Sequence, residues 1–439
     1  RKLDPKMIVN NRVDVHRAGM GGFSGSNEAV GDFATPEQEI PATGTPGLDW
    51  ETCMTMNDHW GFNAADKSGK TTEDLARKLA DIASKGGNFL LNIGPRSDGT
   101  FPPEAVQRLA EIGAWMKVNG ESIRGTTASP FDSLAFGRCT VGAGAKAGEK
   151  TRLYLHVFDW PKDRRLVLPG LGNEIGRAYL LTKPKEDLSR AREDSDVWIS
   201  LPEAAPDAID TVVALEIQGA PIVYKAPVIE VESHIFVKPM KVKLASSSPA
   251  LEVRYTVDGT EPAAASPAYH DPILVSSTTT VRARSFHGGK PVSGSIAATF
   301  TQVEPGAGTP LLTDKSKLAT GAFCYRFEGD WDKLPNFDSL GVAQSNGNVR
   351  GIGLSTSSET AVNRPAEHVA LRFRGVIEIE AADVYTFELT SDDGSRLVID
   401  GQVVVDNDGL HSTSAKRGRI ALGLGMHSLD VGWFNKSGG

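Results

Sequence analysis

The 439-residue sequence has few cysteines, no long apolar run and no basic block, and each absence excludes a class of protein. Its three cysteines, Cys53, Cys139 and Cys324, are too few and too widely spaced for a disulfide framework or a cysteine-rich metal cluster. No apolar segment approaches the roughly 20 residues that a membrane-spanning helix needs. The formal net charge of −8 has no local cluster of Lys and Arg to reverse it, which argues against nucleic acid and anionic membranes as partners.

Length and composition are those of an ordinary multidomain globular protein. The chain is long enough for about three domains, and 40% of its residues are hydrophobic and 23% charged. It starts at Arg1, directly before a strand-like run, and it ends at Gly439 inside another such run. We therefore expect a fragment that is cut at both ends.

Residues 1–127 alternate strand-like and helix-like segments. The predicted strands are Met7–Val9, Trp50–Met56 and Phe89–Ile93. A helix is predicted over 71–85, with a Thr pair as its N-cap and Gly86-Gly87 as its end. A second helix is predicted from Pro103 to Gly120, with four residues along its buried face: Val106, Leu109, Gly113 and Met116. This alternation indicates an incomplete (β/α)8-like barrel.

The rest of the chain predicts three all-β domains of the sandwich type. Short strand-like runs separated by Gly, Pro and Asp continue to the C-terminus. We place the domain boundaries at 128–226, 227–303 and 311–439, with a Gly- and Pro-rich linker over 304–310. Asp400-Gly401, between two strand-like runs, is the clearest hairpin signal.

Three residues of the first domain are candidates for binding or chemistry. Glu37 follows Pro36, which restricts the backbone and positions the carboxylate, but most loop glutamates are solvated and four neighbouring acids fit the composition equally well: Asp32, Glu39, Asp49 and Glu51. Arg12 follows a predicted barrel strand, where ligand-binding residues concentrate, or it is a surface arginine. Trp60 is either a sugar-stacking aromatic or a core residue.

Other motifs give weaker evidence of a functional site. Gly19–Gly25 is rejected as a dinucleotide-binding loop because no helix pattern follows it. Asp406–Gly409 lacks the remaining positions of an EF-hand. The adjacent Asp392 and Asp393 indicate either an oxygen-rich calcium site or a solvated turn.

Taken together, five motifs in fixed order resemble the α-L-fucosidases of glycoside hydrolase family 29. They are Asn10-Asn11-Arg12, Gly31–Glu37, Trp50-Glu51-Thr52, Lys85–Pro95 with Asp98-Gly99, and Asn119–Ile123 with Gly125. The resemblance covers the latter part of that family's catalytic barrel, and residues 128–226 look like the β-sandwich that follows it.

The resemblance implies a retaining exo-hydrolase of terminal α-L-fucose that needs no cofactor and acts on fucosylated glycans. Glu37 would be the general acid/base, Arg12 would contact fucose, and Trp60 would pack on the sugar's methyl group. The family's nucleophilic aspartate precedes the Asn-x-Arg motif, so we expect it to be absent from this chain. Asn11 also departs from the aspartate that many members carry. A secreted or periplasmic location follows from the substrate class, whereas linkage preference and oligomeric state are not determined.

The later regions have resemblances of their own. Residues 255–262 and 281–286 look like the chitobiase-type C-terminal domain of glycosidases, and residues 391–401 and 423–427 resemble the protective-antigen-type sandwich. Some members of the latter family bind sugars through calcium on paired aspartates, which makes Asp392 and Asp393 a candidate sugar or calcium edge. The alternative function is therefore a non-catalytic carbohydrate-binding or scaffolding protein that acts through its C-terminal β domains.

Overall fold

The computed structural model describes residues 6–13, 31–142, 149–309, 318–352 and 367–436, and these form a predominantly β protein. The chain divides into two compact units. Unit 1 comprises residues 1–227, 246–253 and 284–295, and unit 2 comprises 228–245, 254–283 and 296–439. Within the described ranges, no helix is both long enough and apolar enough to cross a membrane.

A small parallel sheet opens unit 1. Its strands β1 (Phe33–Ala34), β2 (Asp49–Thr55) and β3 (Asn88–Asn92) lie in that order and pair in parallel. Helix α1 (Thr72–Ser84) connects β2 to β3. Its predicted cap is confirmed, since the Thr71 side chain accepts a hydrogen bond from the Asp74 amide.

The expected strand Met7–Val9 is wrong. Only Asn10 forms an isolated bridge, to Phe33, and Asn11–Val13 is a 3-10 turn. The Val9 amide donates to the Asp32 carboxylate at 2.8 Å, and the Val9 carbonyl accepts from the Asp32 amide at 2.7 Å. These two long-range bonds occupy the backbone groups of Val9 that a strand would offer to a neighbour.

The predicted face of the second helix is also wrong. Helix α2 (Pro103–Asn119) starts at Pro103 as expected, but Val106 and Leu109 are 51% and 39% exposed. The buried side chains are Ala105, Trp115 and Asn119. Trp115 has the largest apolar surface on the helix, and its packing against the following β-sheet determines which stripe is buried.

Two β-sheets complete the main part of unit 1. Their strands are β4 (Thr126–Thr127), β5 (Gly137–Gly142), β6 (Lys150–Val157), β7 (Arg165–Leu168), β8 (Ile175–Leu180), β9 (Arg190–Glu193), β10 (Asp196–Ser200) and β11 (Thr211–Gln218). The larger sheet has the order β4-β5-β6-β11-β8 and the smaller β7-β10-β9. Their side chains form one core that includes Leu153, Leu155, Leu168, Ile199 and Leu215.

Both helices are tied to the larger sheet by polar contacts. The Arg77 guanidinium donates to the Ile209 carbonyl at 3.0 Å and to the Phe158 carbonyl at 2.9 Å. The Trp115 indole donates to the Asp210 carbonyl at 2.9 Å. Since α1 also packs on β2 through Ile82, the sheet braces the strands of the first segment.

The remaining strands lie over 228–302 and 322–435. They are β12 (Val228–Glu230), β13 (Ile235–Phe236), β14 (Met240–Ala245), β15 (Glu252–Thr256), β16 (Ile273–Val275), β17 (Thr279–His287), β18 (Lys290–Gln302), β19 (Ala322–Glu328), β20 (Ser345–Val349), β21 (Val369–Ile379), β22 (Asp383–Ser391), β23 (Ser395–Ile399), β24 (Gln402–Asn407), β25 (Ser414–Leu422) and β26 (Gly425–Asn435).

These strands form four sheets. Two lie over 228–302, with the orders β12-β14-β16 and β13-β18-β17-β15, and two over 322–435, with the orders β20-β19-β21-β26-β23-β24 and β22-β25. Asp400 and Gly401 have φ angles of 49° and 78° between β23 and β24, which confirms the predicted hairpin.

Candidate active site

A cavity of about 650 Å³ lies at the carboxyl end of the parallel sheet in unit 1. It brings together the three sequence-predicted residues of this segment, Arg12, Glu37 and Trp60. Its full lining is Asn10, Arg12, Thr35, Glu37, Glu51, Cys53, Trp60, Leu90, Leu91, Asn92, Ile93 and Phe101. Carboxylate, guanidinium, amide and indole groups converge in one concave site beside apolar side chains, which is the composition of a small-molecule binding pocket.

Backbone pairing with β2 positions Glu37. The Cys53 amide donates to the Pro36 carbonyl at 3.0 Å, and the Gln38 amide donates to the Cys53 carbonyl at 2.9 Å. Glu37 therefore lies between two backbone hydrogen bonds to one strand residue, and Pro36 before it is buried. The Glu37 side chain is only 12% exposed, so it is not a solvated loop glutamate.

Arg12 is held against Glu37 by a chain of side-chain contacts. Its Nη2 lies 2.8 Å from Glu37 Oε2, and its Nε donates to Thr35 Oγ1 at 3.0 Å. The Thr35 hydroxyl in turn donates to Oδ1 of the buried Asn11 at 2.7 Å. Because each group fixes the next, the guanidinium presents a defined face to the cavity.

The structure distinguishes among the five acidic residues that composition alone left as equal candidates for a catalytic acid. Glu37 and Glu51 line the cavity, whereas Asp32 binds the Val9 amide and Glu39 and Asp49 are exposed. Glu51 lies on β2, two residues before Cys53 and on the same face of the strand.

Cys53 is a neutral neighbour of these charges. Burial raises the pKa of its thiol, the Arg12 guanidinium opposes that rise, and the Glu37 carboxylate adds to it. Arg12 Nη2 also donates to the sulfur at 3.3 Å.

Trp60 lies in a loop that hydrogen bonds hold in place on both sides. The Asn92 side-chain amide donates to the Trp60 carbonyl at 2.7 Å and to Thr55 Oγ1 at 3.1 Å. Behind the loop, the carboxylate of Asp66 accepts from the Asn57 side chain at 2.8 Å and from His59 Nδ1 at 2.8 Å. The indole itself remains partly exposed beside the cavity, where it can contact a ligand.

Sequence reasoning assigned no role to Thr35, Asn92, Cys53 or Phe101, all of which line the cavity. One signal was available for Cys53, since Glu51, Cys53 and Thr55 alternate along a strand and must share a face. Thr35 and Phe101 reach the cavity through loop and turn geometry that has no local signature.

The Asp392 and Asp393 pair lies in unit 2, in the turn between β22 and β23. Asp393 is buried, and its two carboxylate oxygens accept from the backbone amides of His411 at 3.3 Å and Lys436 at 2.8 Å. Asp392 Oδ2 accepts from Thr413 at 3.4 Å. In the described parts of the chain, no three His, Cys, Asp or Glu side chains cluster as metal ligands. Each carboxylate oxygen of Asp393 therefore accepts one backbone amide, and the assignment of Asp392 and Asp393 as a sugar or calcium edge stays a prediction.

The family comparisons match three separate segments. Residues 1–121 match the family described as alpha-L-fucosidase, residues 231–297 the chitobiase/beta-hexosaminidase C-terminal domain, and residues 321–437 the PA14 domain. The resemblance that the motifs predicted is confirmed for these segments.

Individual relatives match part of the chain. The plasma alpha-L-fucosidase of Rattus norvegicus is 44% identical over 132 residues, which is 29% of this chain and 27% of that protein. An alpha-L-fucosidase of Dictyostelium discoideum is 33% identical over 135 residues, or 30% of this chain and 28% of that one. The chain thus spans little more than a quarter of the length of these relatives.

Among solved structures, alpha-L-fucosidase isoenzyme 1 from Paenibacillus thiaminolyticus is similar over 50% of this chain and 52% of that one. Its sequence identity is 32% and its TM-score 0.43.

Proposed function

We propose that residues 1–127 contribute the acid/base part of a site that hydrolyses terminal α-L-fucosides with retention, and that Glu37 is the general acid/base. The observation that carries the proposal is the single cavity in which Glu37, Arg12 and Trp60 meet. The match of residues 1–121 to the fucosidase family supplies the substrate class.

Each of the three residues has a defined chemical task. Glu37 protonates the glycosidic oxygen as the bond breaks and later takes a proton from water. Arg12 Nη1 has no hydrogen-bond partner among the described residues, so its N–H groups are available to a sugar hydroxyl. Trp60 offers an apolar face to the methyl group of fucose.

The attacking carboxylate is not assigned to any described residue. In a retaining glycosidase it lies roughly 5–5.5 Å from the general acid/base. We propose, as the sequence indicated, that an aspartate outside this chain supplies it. Glu51 is the second carboxylate that lines the cavity, so an experiment must exclude it as the group that acts in place of Glu37.

Glu37→Gln and Glu37→Ala, made in the whole protein that carries this chain, test the acid/base role. Hydrolysis of 4-methylumbelliferyl α-L-fucoside should fall by about 10²–10⁴-fold, the usual contribution of a general acid/base. Cleavage of a 2,4-dinitrophenyl fucoside should suffer less, because that leaving group departs without protonation. Glu39→Gln, at an exposed position two residues away, is the matched control.

Normal turnover by Glu37→Ala would end the assignment. A loss in Glu51→Gln with the same leaving-group pattern would transfer the role to Glu51 instead.

The domain division and location stay part of the proposal. We infer a barrel segment over 1–127, a sandwich over 128–226 and two accessory β domains over 227–303 and 311–439. A secreted or periplasmic location follows from fucosylated glycans as substrate. Binding of glycans by residues 311–439 in the presence of calcium, measured by calorimetry, would favour the alternative, a carbohydrate-binding protein.

A further inference from the structure

The side chain of Asn92 lines the Glu37 cavity at the carboxyl end of the parallel sheet. Asn92 is the last residue of β3, and it lies opposite Thr55 of β2. Ligand-binding residues concentrate at this end of the strands in βα barrels. Asn92 is therefore placed where a bound sugar could contact its amide group.

Hydrogen bonds determine which way that amide group points. Nδ2 of Asn92 donates to the Trp60 carbonyl at 2.7 Å and to Thr55 Oγ1 at 3.1 Å. A backbone carbonyl can only accept, so the nitrogen and not the oxygen of the amide faces Trp60. The Thr55 hydroxyl directs its own proton toward acceptors on Asn57 and His59, which leaves its lone pairs for Asn92.

One atom of the Asn92 side chain is left for a ligand. Both N–H groups of its amide are used in the bonds to Trp60 and Thr55, whereas Oδ1 has no partner among the described residues. Oδ1 lies on the other side of the planar amide from Nδ2, and an amide oxygen accepts hydrogen bonds but donates none. Asn92 therefore offers the cavity an acceptor only, which selects a ligand group that carries a proton.

Arg12 supplies the opposite kind of group on the same cavity. Its guanidinium donates hydrogen bonds and accepts none, and contacts with Thr35 and Glu37 hold it in place. A sugar hydroxyl both donates and accepts, so a ring with several hydroxyls can satisfy the guanidinium and the amide oxygen together. A ligand without a hydroxyl at the Asn92 position would leave Oδ1 desolvated and unpaired, which is unfavourable.

We propose that Asn92 is a substrate-binding residue whose Oδ1 accepts a hydrogen bond from one ring hydroxyl of the fucosyl group. The inference rests on the proposed function, because that function places the fucosyl group between Glu37 and Trp60. Nδ2 of the same amide holds the Trp60 carbonyl, so one side chain both positions the aromatic wall and contacts the sugar.

Binding of the free sugar tests this contact without any turnover. Dissociation constants of L-fucose and of its 2-, 3- and 4-deoxy analogues are measured by calorimetry on the whole protein that carries this chain. The penalty for a missing hydroxyl is the ratio of the analogue's constant to that of L-fucose. For one analogue, Asn92→Ala should reduce this penalty by about two- to tenfold, the contribution of one neutral hydrogen bond. That analogue identifies the hydroxyl.

Two variants serve as controls. Asn88→Ala removes an exposed asparagine of the same strand that does not line the cavity, roughly 13 Å away along β3. Asp66→Ala loosens the Trp60 loop from its other side and leaves Oδ1 of Asn92 in place. Both variants should keep the full penalty for every analogue. Each penalty compares two sugars on one protein, so it does not depend on the folded fraction.

An unchanged penalty in Asn92→Ala for all three analogues would overturn the proposal. An equal reduction in Asp66→Ala would also overturn it, because the effect would then belong to the loop, as would absence of L-fucose binding by the unsubstituted protein. Hydrolysis of 4-methylumbelliferyl α-L-fucoside reports on the proposed function separately. Turnover with an unchanged penalty removes only the Asn92 contact, and a reduced penalty without turnover removes only the hydrolase.

Discussion

Removal of the Asp210 carboxylate should strongly destabilise unit 1. His156 on β6 and Asp210 before β11 are both fully buried, and His156 Nδ1 donates to Asp210 Oδ2 at 2.6 Å. Their other polar atoms, His156 Nε2 and Asp210 Oδ1, have no partner in the described part of the chain. The pair therefore depends on one hydrogen bond, and loss of either side chain leaves the other polar and unpaired in the interior.

The size of the effect follows from that burial. Removing one partner of a buried hydrogen bond, so that the other is left unsatisfied, costs about 1–3 kcal/mol. In a unit of about 250 residues, each kcal/mol lowers the melting temperature by about 2–4 °C, so Asp210→Ala should lower it by roughly 2–12 °C. Asp210→Asn keeps an acceptor for the histidine N–H and should cost less. His156→Phe combined with Asp210→Leu removes both polar groups and should recover most of the loss.

Differential scanning calorimetry of the full chain measures these shifts. Asp332→Ala is the control, because that carboxylate is 71% exposed in unit 2 and its ion pair with Lys436 contributes little. A loss below about 1 kcal/mol for Asp210→Ala would refute the reasoning, since an unpaired buried polar group costs at least that much. Equal instability of the single and double variants would also refute it.

Three further results are expected. Thr35→Val should lower fucoside turnover by the whole protein several-fold without lowering stability to the same degree, because Arg12 loses the hydroxyl that orients it, whereas Thr35→Ser should retain activity. Asp66→Ala should increase acrylamide quenching of Trp60 fluorescence, and in the unsubstituted protein the same change should appear only well below pH 3.8. Hydrogen bonds from Ser68 and then His59 lower the pKa of Asp66, so the stability it confers is present above its unfolded pKa and is lost as pH falls through the folded value. Cys139 should resist iodoacetamide at pH 8 until the protein unfolds, because complete burial raises the pKa of its thiol; rapid labelling of the native chain would contradict this.

Much of the local structure was predictable, because the signals are short in range. The Thr71 cap and the Asp400-Gly401 turn each depend on residues within a few positions, and both are confirmed. The prediction of a strand at Met7–Val9 was wrong because the Asp32 side chain, more than twenty residues away, accepts the hydrogen bond of the Val9 amide. The predicted buried face of α2 was wrong for a similar reason. The helix has two apolar stripes, and contact with a distant sheet buries the stripe that contains Trp115.

For the candidate site, the sequence by itself determined the order of motifs and hence the substrate class proposed for it, together with Glu37, Arg12 and Trp60 as candidates. Tertiary structure alone decided which acids face the cavity and how Arg12 is held. Those outcomes depend on the bridge between Glu37 and Cys53 and on the contact between Thr35 and Asn11, which join residues far apart in the chain. The same holds for Asp393, whose oxygens are bound by amides from His411 and Lys436. Local sequence sets conformation within a few residues, but long-range pairing decides which side chains meet.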